Sequence, residues 1–491
     1  MDQDHPRSAV ARRRLNRRAA LARFATAGAA VAALSASGLE WLRADARQAT
    51  PPGQPALKFA AGEDLVEPPV RSSKNGRLDT TLTARVGPTT VAGQPVTAWV
   101  YEGSFPSPTL RIKNGDTLRI KVVNQLPEMT NFHTHGFHVS PSGNSDNIFV
   151  MTHPGDSFQY EYHIPTNHAP GLYWYHPHPH GISENQVNGG LAGAIGNEGE
   201  IDQLPGIAGL TERLLLIQAT EFGPDGVVRP AGQQHEATQL HLINGQLRPV
   251  IRMRPGETQR WRIANISSGN IYNLALAAHP LYQIEDDANP LDTVQPTNAL
   301  LLGPGERAGV LVQASTAPGT YEFRNLLWGG QFQAMPDILL ATVVVEGKPL
   351  APAPLPTTLI PFEDLSKLQV DRQRHITLQE IGSPLRFQID GNTFDPNRVD
   401  QTVPLNAFEE WVIHNTSEDW HPFHIHVNDF QVVAVNGEPY TAHSYDDTFL
   451  VPAFGSITMR TRFLDFTGKF VYHCHILFHE DQGMMGVVDV V

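Results

Sequence analysis

At 491 residues the chain is long enough for two to four domains, and its 41 glycines and 39 prolines suit many short strands joined by turns. A formal charge of −14 disfavours nucleic acid and anionic membrane surfaces as partners. The single cysteine excludes any disulfide within the chain.

The N-terminus is a separate object. Arg12-Arg13-Arg14-Leu15-Asn16-Arg17-Arg18 precedes an alanine-rich apolar stretch from Ala19 to Ala36, and Ala44-Asp45-Ala46 has the small-x-small form of a cleavage site. Paired arginines ahead of an apolar run suggest twin-arginine export. Residues 1–46 are therefore expected to be an export signal and the mature protein to be periplasmic or extracellular, touching a membrane only through that signal. A basic arm for nucleic acid is the rival reading, and the apolar run directly behind the arginines argues against it. That run is also weak and short for a spanning helix. Its removal would take away eight arginines and four acids, moving the formal charge from −14 to −18.

Three similar strands recur at roughly 140 to 150 residues, the mark of an internal repeat. Gly115-Asp116-Thr117-Leu118-Arg119-Ile120-Lys121-Val122-Val123-Asn124 lines up with Gly256-Glu257-Thr258-Gln259-Arg260-Trp261-Arg262-Ile263-Ala264-Asn265, and a fainter copy runs from Asn406 through Trp411 to Asn415. Each is a turn, then alternating apolar and polar residues, then an asparagine that ends the strand. An all-β chain of three β-sandwiches follows. The Pro-rich segment from Lys348 to Pro356 reads as a semi-rigid spacer or an ordinary interdomain loop.

Histidines cluster around these repeats. His133-Thr134-His135-Gly136 follows the first copy, and Trp174-Tyr175-His176-Pro177-His178 comes later in the same third of the chain. Trp420-His421-Pro422-Phe423-His424-Ile425-His426 follows the third copy, and Tyr472-His473-Cys474-His475-Ile476-Leu477-Phe478-His479, with Met484 beyond it, closes the chain. One His-x-His pair also occurs on solvated strands, so each alone is weak; four with one thiol among them form a metal pattern. On an extended strand neighbouring side chains face opposite ways. If Tyr472 to Ile476 is a strand, Cys474 faces one side while His473 and His475 face the other, and His421 parts from His424 and His426 in the same way. One backbone could then serve a thiolate site and an imidazole site together. Two His, one Cys and a weak axial Met make the ligand set of a mononuclear blue-copper centre.

These motifs, HTHG, WYHPH, HPFHIH and HCHILFHEDQGM in that order, resemble those of the multicopper oxidases, the laccase-like family, over essentially the whole chain behind the N-terminal segment. The resemblance implies three cupredoxin-like Greek-key β-sandwich domains, expected at residues 47–200, 201–348 and 349–491. It implies four copper ions: a type 1 copper on His421, Cys474 and His479 with Met484 axial, a type 2 copper on His133 and His424, and a type 3 pair on His135, His176, His178, His426, His473 and His475. His180, in the same His-Pro-His run, is left as a structural neighbour because Trp174-Tyr175 fixes the register on His176 and His178. The middle domain contributes no ligand, so the imidazole site is expected between the first and last domains, with the middle one as a brace and one wall of the donor pocket.

Reduction of dioxygen to water takes up protons, and two acids stand near the ligands: Glu480, directly after His479, and Asp146, in the loop after the first pair. Both resemble acids that the family uses for proton delivery. An orienting role for Glu480 is the competing reading. The partners implied are dioxygen and a small reductant, docking near His421 or His479 against Trp420, Trp328 and the loop from Gly329 to Pro336. A phenol or aromatic amine is favoured over a metal ion, because only eight methionines are present and no Met-rich tract appears. The alternatives are a cuprous-ion oxidase in copper tolerance and a copper-binding protein without turnover. A copper nitrite reductase does not need the paired type 3 set, and a relative that has lost copper should have lost ligands; neither fits four intact His-x-His pairs.

Overall fold

The computed structural model describes residues 57–235, 238–329 and 333–491. The export signal expected over residues 1–46 lies outside them. Among the described residues no helix is long and apolar enough to cross a membrane.

The alternating pattern of the first repeat, Thr117–Gln125, buries Leu118, Ile120, Val122 and Asn124 on one face. The strand lies parallel to Arg77–Val91 and antiparallel to Ser157–His163. The second repeat, Thr258–Asn265, lies parallel to Thr211–Thr220, and the third, Phe408–Asn415, parallel to Arg372–Ile381. Each repeat strand thus sits in the same place in its own sheet.

A second sheet packs over each of these, and the two enclose an apolar core. The first core joins Leu82, Leu118 and Ile120 to Leu110, Tyr175 and Ile195; the middle one is built around Trp261 and the third around Trp411. In the third sandwich the second sheet runs Gln401–Val403, Met485–Val490, Gly468–Cys474, His421–Ile425, Thr448–Val451, and in the middle one Val250–Met253, Ile338–Val345, Gly319–Asn325, Tyr272–Leu276, Leu300–Leu302. The two orders correspond strand for strand. The first sandwich repeats the order in Thr109–Lys113, Gly193–Glu198, Gly171–His176 and His133–His135. The His-bearing strands are therefore topological equivalents. Their counterparts in the middle copy, Tyr272–Leu276 and Gly319–Asn325, carry no histidine.

The asparagine closing each repeat explains how the chain is led into those strands. Asn124, Asn265 and Asn415 are all buried. Each amide donates to two carbonyls, Glu128 and Thr152, Asn270 and Leu302, or Asp419 and Pro452. Each side-chain oxygen accepts the N–H two residues on, from Leu126, Ser267 or Ser417. One side chain thereby fixes the loop that delivers the next strand. The Pro-rich segment is fastened down rather than free: Leu350 donates to the Pro255 carbonyl, and Gln313 donates to the Ala353 carbonyl.

Asn265 performs this task in the copy without a His-x-His pair, so it tests the loop device alone. Asn265→Ala strands two buried carbonyls and one N–H, at about 1–3 kcal/mol for each group left unpaired. A lowered unfolding midpoint by scanning calorimetry is expected, and an unchanged thermogram would show that the loop holds itself.

Candidate metal centres

The strand Gly468–Cys474 ends two residues short of the expected Ile476, and His475 and Ile476 turn into the short helix Leu477–Asp481. Phe423 pairs with Cys474 and His424 with His473, so the last two histidine motifs lie side by side. His421 Nδ1 is 3.3 Å from Cys474 Sγ, Cys474 Sγ is 3.7 Å from His479 Nδ1, and the two imidazole nitrogens are 3.3 Å apart. The centre of such a triangle is about 2 Å from each corner, the length of a metal–ligand bond. His421 and Cys474 are fully buried. Met484 is buried too; its N–H donates to the His479 carbonyl and its carbonyl accepts from Cys474 N–H.

Burial sets the protonation of this group. It pushes His421 down to about 3 and His479 well below the usual imidazole range, with His421 adding to the effect on His479. It also raises the Cys474 thiol well above its ordinary value, although the Ile476 N–H donates to the sulfur. Neutral imidazoles and a thiol that ionises only on a cation form a donor set suited to a soft metal. His421 Nε2 donates to Ser417 Oγ at 2.6 Å, and Ser417 donates to Asn415 Oδ1 at 2.7 Å. The asparagine of the third repeat therefore holds the ring with Nδ1 towards the sulfur.

On the other side of the same strand eight imidazoles converge at the seam of the first and third sandwiches. His135, His176 and His475 form one group with facing nitrogens, His178, His426 and His473 a second, and His133, His135 and His424 a third, every ring buried. His178 Nε2 and His426 Nε2 are 3.2 and 3.3 Å from His473 Nε2. Most of the outward-facing nitrogens are committed: His133 Nδ1 donates to Asp146, His135 Nε2 to Asp447, His176 Nδ1 to the Pro177 carbonyl, His424 Nδ1 to the Asp447 carbonyl and His473 Nδ1 to the Cys474 carbonyl. Each such bond selects the tautomer that leaves the other nitrogen for a metal. His133 Nε2, His135 Nδ1, His176 Nε2, His424 Nε2 and both nitrogens of His475 are buried without a hydrogen-bond partner. Unpartnered buried ring nitrogens on groups of histidines that face one another are what metal ligands look like. His180 lies outside the cage, exposed and 4.7 Å from the Phe394 ring.

Glu480 is fully buried, its oxygens 3.3 Å from His178 Nδ1 and from His473 Nδ1, and burial raises its carboxyl well above the usual range. Asp146 is pushed up to about 7 by burial; besides His133 it accepts from the Thr134 N–H and hydroxyl. Next to His421 in sequence, Trp420 meets Trp328 edge to face at 5.5 Å, and Gln333 grips the Trp420 backbone by accepting its N–H and donating to its carbonyl. Gly330, Gln331 and Phe332 of that loop lie outside the described residues.

Sequence reasoning missed Arg307, Asp447 and Gly305. The buried guanidinium of Arg307, in the middle sandwich, donates to both oxygens of Asp447 in the third, to Asp287 and Gly305 in its own, and to the Leu172 carbonyl in the first. Asp447 in turn holds His135 and His424. A Cβ on Gly136, the glycine of HTHG, would collide with Arg307 and Asp447, and one on Gly305 would press on His135 and His475. The middle copy thus reaches into the imidazole cage. The available signal was a lone arginine opening the apolar strand Arg307–Gln313.

Family models described as multicopper oxidase match residues 83–198, 223–346 and 366–491. A protein named multicopper oxidase mco from Staphylococcus haemolyticus is 28% identical over 444 residues, covering 87% of this chain and 92% of that one. Among solved structures, a multicopper oxidase from Campylobacter jejuni described as a metallo-oxidase superposes with a TM-score of 0.77 at 26% identity, over 90% of this chain and 98% of that one. A laccase-like multicopper oxidase CueO from the lignin-degrading bacterium Ochrobactrum sp., described as having oxidase activity towards lignin model compounds and lignosulfonate, superposes with a TM-score of 0.75 at 25% identity, over 87% of this chain and all of that one.

Removing one member of a buried ion pair strands the other charge, at about 3–5 kcal/mol. Arg307→Met should therefore lower the thermal midpoint markedly, and adding Asp447→Asn should recover part of the loss. A double variant no more stable than Arg307→Met would show that packing, and not charge, ties the three sandwiches together.

Proposed function

The chain belongs to the multicopper oxidase family, and from that premise we propose which residues hold copper and what is oxidised. Membership makes it a copper-dependent oxidoreductase that uses oxygen and a reducing substrate. Its three cupredoxin-like sandwiches are assigned to residues 47–200, 201–348 and 349–491. These limits fit the strand breaks between Glu198 and Thr211 and between Val345 and Arg372. Export to the periplasm or the exterior is part of the proposal and rests on residues 1–46 alone.

In this reading His421, Cys474 and His479, with Met484 as weak fourth ligand, hold a type 1 copper. His133 and His424 hold the type 2 ion, and His135, His176, His178, His426, His473 and His475 the type 3 pair, four ions in all. The observation that carries it is the buried thiol of Cys474 facing two imidazoles while His473 and His475, its neighbours in sequence, join the cage behind. Bound copper supplies one-electron transfer at the thiolate side and oxygen reduction among the imidazoles. Four one-electron oxidations of donor balance one dioxygen taking up four electrons and four protons to give two waters.

The chain's own acids manage those protons. Glu480, held protonated by burial between His178 and His473, donates towards the cage. Asp146 orients His133 and, with its carboxyl near 7, carries a proton around neutral pH.

The donor is a small phenol or aromatic amine docking at the Trp420 side of the thiolate site. Five of the eight methionines, Met253, Met335, Met459, Met484 and Met485, are buried, which disfavours a methionine-lined cuprous site. The likeness to a structure described as a metallo-oxidase keeps cuprous ion as the second reading.

Copper-loaded protein should be blue, hold about four copper ions per chain by metal analysis, and consume oxygen faster with a phenol than with cuprous ion. Colourless protein would remove the ligand assignment, and the reverse order of donors would select the metallo-oxidase reading. Cys474→Ser should abolish the intense copper–thiolate absorption; a band that persists takes Cys474 off the metal. Glu480→Gln should leave that band and its bleaching by donor intact while slowing reoxidation by oxygen about 100-fold, the low end for a lost general acid. Unchanged reoxidation would place proton delivery elsewhere.

A further inference from the structure

Ten of the 22 histidines are taken up by the two candidate centres, and two of the rest meet on the outer face of the third sandwich. His375 lies on Arg372–Ile381 and His414 on Phe408–Asn415, parallel neighbours in one sheet. The alternation turns Ile376, Leu378, Trp411 and Ile413 into the core, so both imidazoles stand on the opposite face. The register sets His375 against Val412 and Thr377 against His414, which makes the two histidines diagonal neighbours. Their rings are nearly parallel, 9° apart, with His375 Nδ1 3.1 Å from His414 Nε2. His375 is exposed and His414 half-buried, so a hydrated ion reaches both without disturbing the core.

Among the described residues neither ring makes another hydrogen bond, and no carboxylate selects its tautomer as Asp146 and Asp447 do for His133 and His135. Two nitrogens 3.1 Å apart fit bonds of about 2.0–2.1 Å to one ion, at an angle of roughly 100°. That angle lies between square-planar and tetrahedral values, within reach of Cu2+ and Zn2+, cations that imidazole suits. A shared proton would also bring the rings together, but it uses the lone pair of only one of the two nitrogens, whereas a metal ion uses both. Two protein ligands leave the rest of the coordination shell to water, so an ion here exchanges with solvent. Asp390 adds negative charge nearby: it accepts the N–H of Thr377, the residue paired with His414, at 2.7 Å.

We propose that His375 and His414 form a further, solvent-accessible site for a divalent transition-metal ion on the outer face of the third sandwich. It is separate from the copper positions proposed above and does not depend on which donor is oxidised. When occupied, it clips Arg372–Ile381 to Phe408–Asn415 and stabilises the folded chain by mass action.

The test is a calorimetric titration of Zn2+ into the copper-loaded full chain without an affinity tag, zinc being distinguishable from the resident copper. His375→Gln and His414→Gln should each weaken zinc binding at least about tenfold, and the double variant should bind no more weakly than the weaker single one. Blue absorption and oxygen uptake should be the same in parent and variants, since neither ring belongs to the copper sites. Zinc should also raise the unfolding midpoint of the parent and leave that of the variants where it is. Equal binding by parent and variants would place the ion on other surface histidines and overturn the proposal, as would a parent that binds no zinc. Anomalous scattering from a zinc-soaked crystal of the parent needs no variant. A peak between the two rings upholds the site, and peaks only elsewhere sink it.

Discussion

The constraint on which the rest depends is the two-residue alternation of an extended chain at Tyr472-His473-Cys474. It sends the thiol into the third sandwich and the His473 imidazole out towards the first, and the bend that follows brings His475 to the same side. No separate element is needed to bring a thiolate site and an imidazole site within a few bonds of each other. The consequence is topological: the outward rings must meet partners from the first sandwich, so the chain's first and last thirds are forced together across the seam where His133, His135, His176 and His178 wait. A sheet slipped by one residue would exchange the two faces and destroy both sites at once. The register is held where Phe423, in a fully buried strand, pairs with the buried Cys474.

Burial on this scale has an electrostatic cost that the donor chemistry turns to use. Imidazoles stripped of water lose their protons, and several buried ring nitrogens of the cage are left without a hydrogen-bond partner at about 1–3 kcal/mol for each buried group. Coordination provides the missing partner, and neutral nitrogen is the form that coordinates. The surrounding bonds to Asp146, Asp447 and three main-chain carbonyls choose which nitrogen that is. Burial acts on Glu480 in the opposite sense, keeping a proton on a carboxyl that water would strip, within 3.3 Å of two of the same rings.

How much of this was legible in the chain depends on how local each device is. The histidine pairs, the cysteine and the three Gly-to-Asn strands carry their meaning within a few residues, because strand parity and turn chemistry are short-range. The structure adds to the asparagines a function that their recurrence only hinted at, since Asn415 reaches His421 through Ser417. Arg307 and Asp447 could not be singled out. Each is an ordinary charged residue in its local setting, and its partners lie tens to hundreds of residues away or on a neighbouring strand. Strand length also misled: His475 reaches the cage from a bend, where a tight turn and not strand parity aims it.

The middle sandwich shows what the shared sheet order does in a copy that carries no His-x-His pair. Tyr272–Leu276 and Gly319–Asn325 occupy the places of the ligand strands and keep the sheet order, and Asn265 and Ser267 still make the loop bonds that in the third copy end on a ligand. This copy acts on its neighbours' candidate sites. Arg307 binds a carboxylate that orients rings from two sandwiches, the Ser268 carbonyl accepts from the N–H of Leu477 at the start of the helix bearing His479, and Gln333 grips the residue before His421. A brace of passive bulk would need none of these contacts. Because each falls beside one of the converging histidines, a shift of the middle sandwich is transmitted to both candidate sites, and the copy without a His-x-His pair becomes the one that sets the distance between the other two.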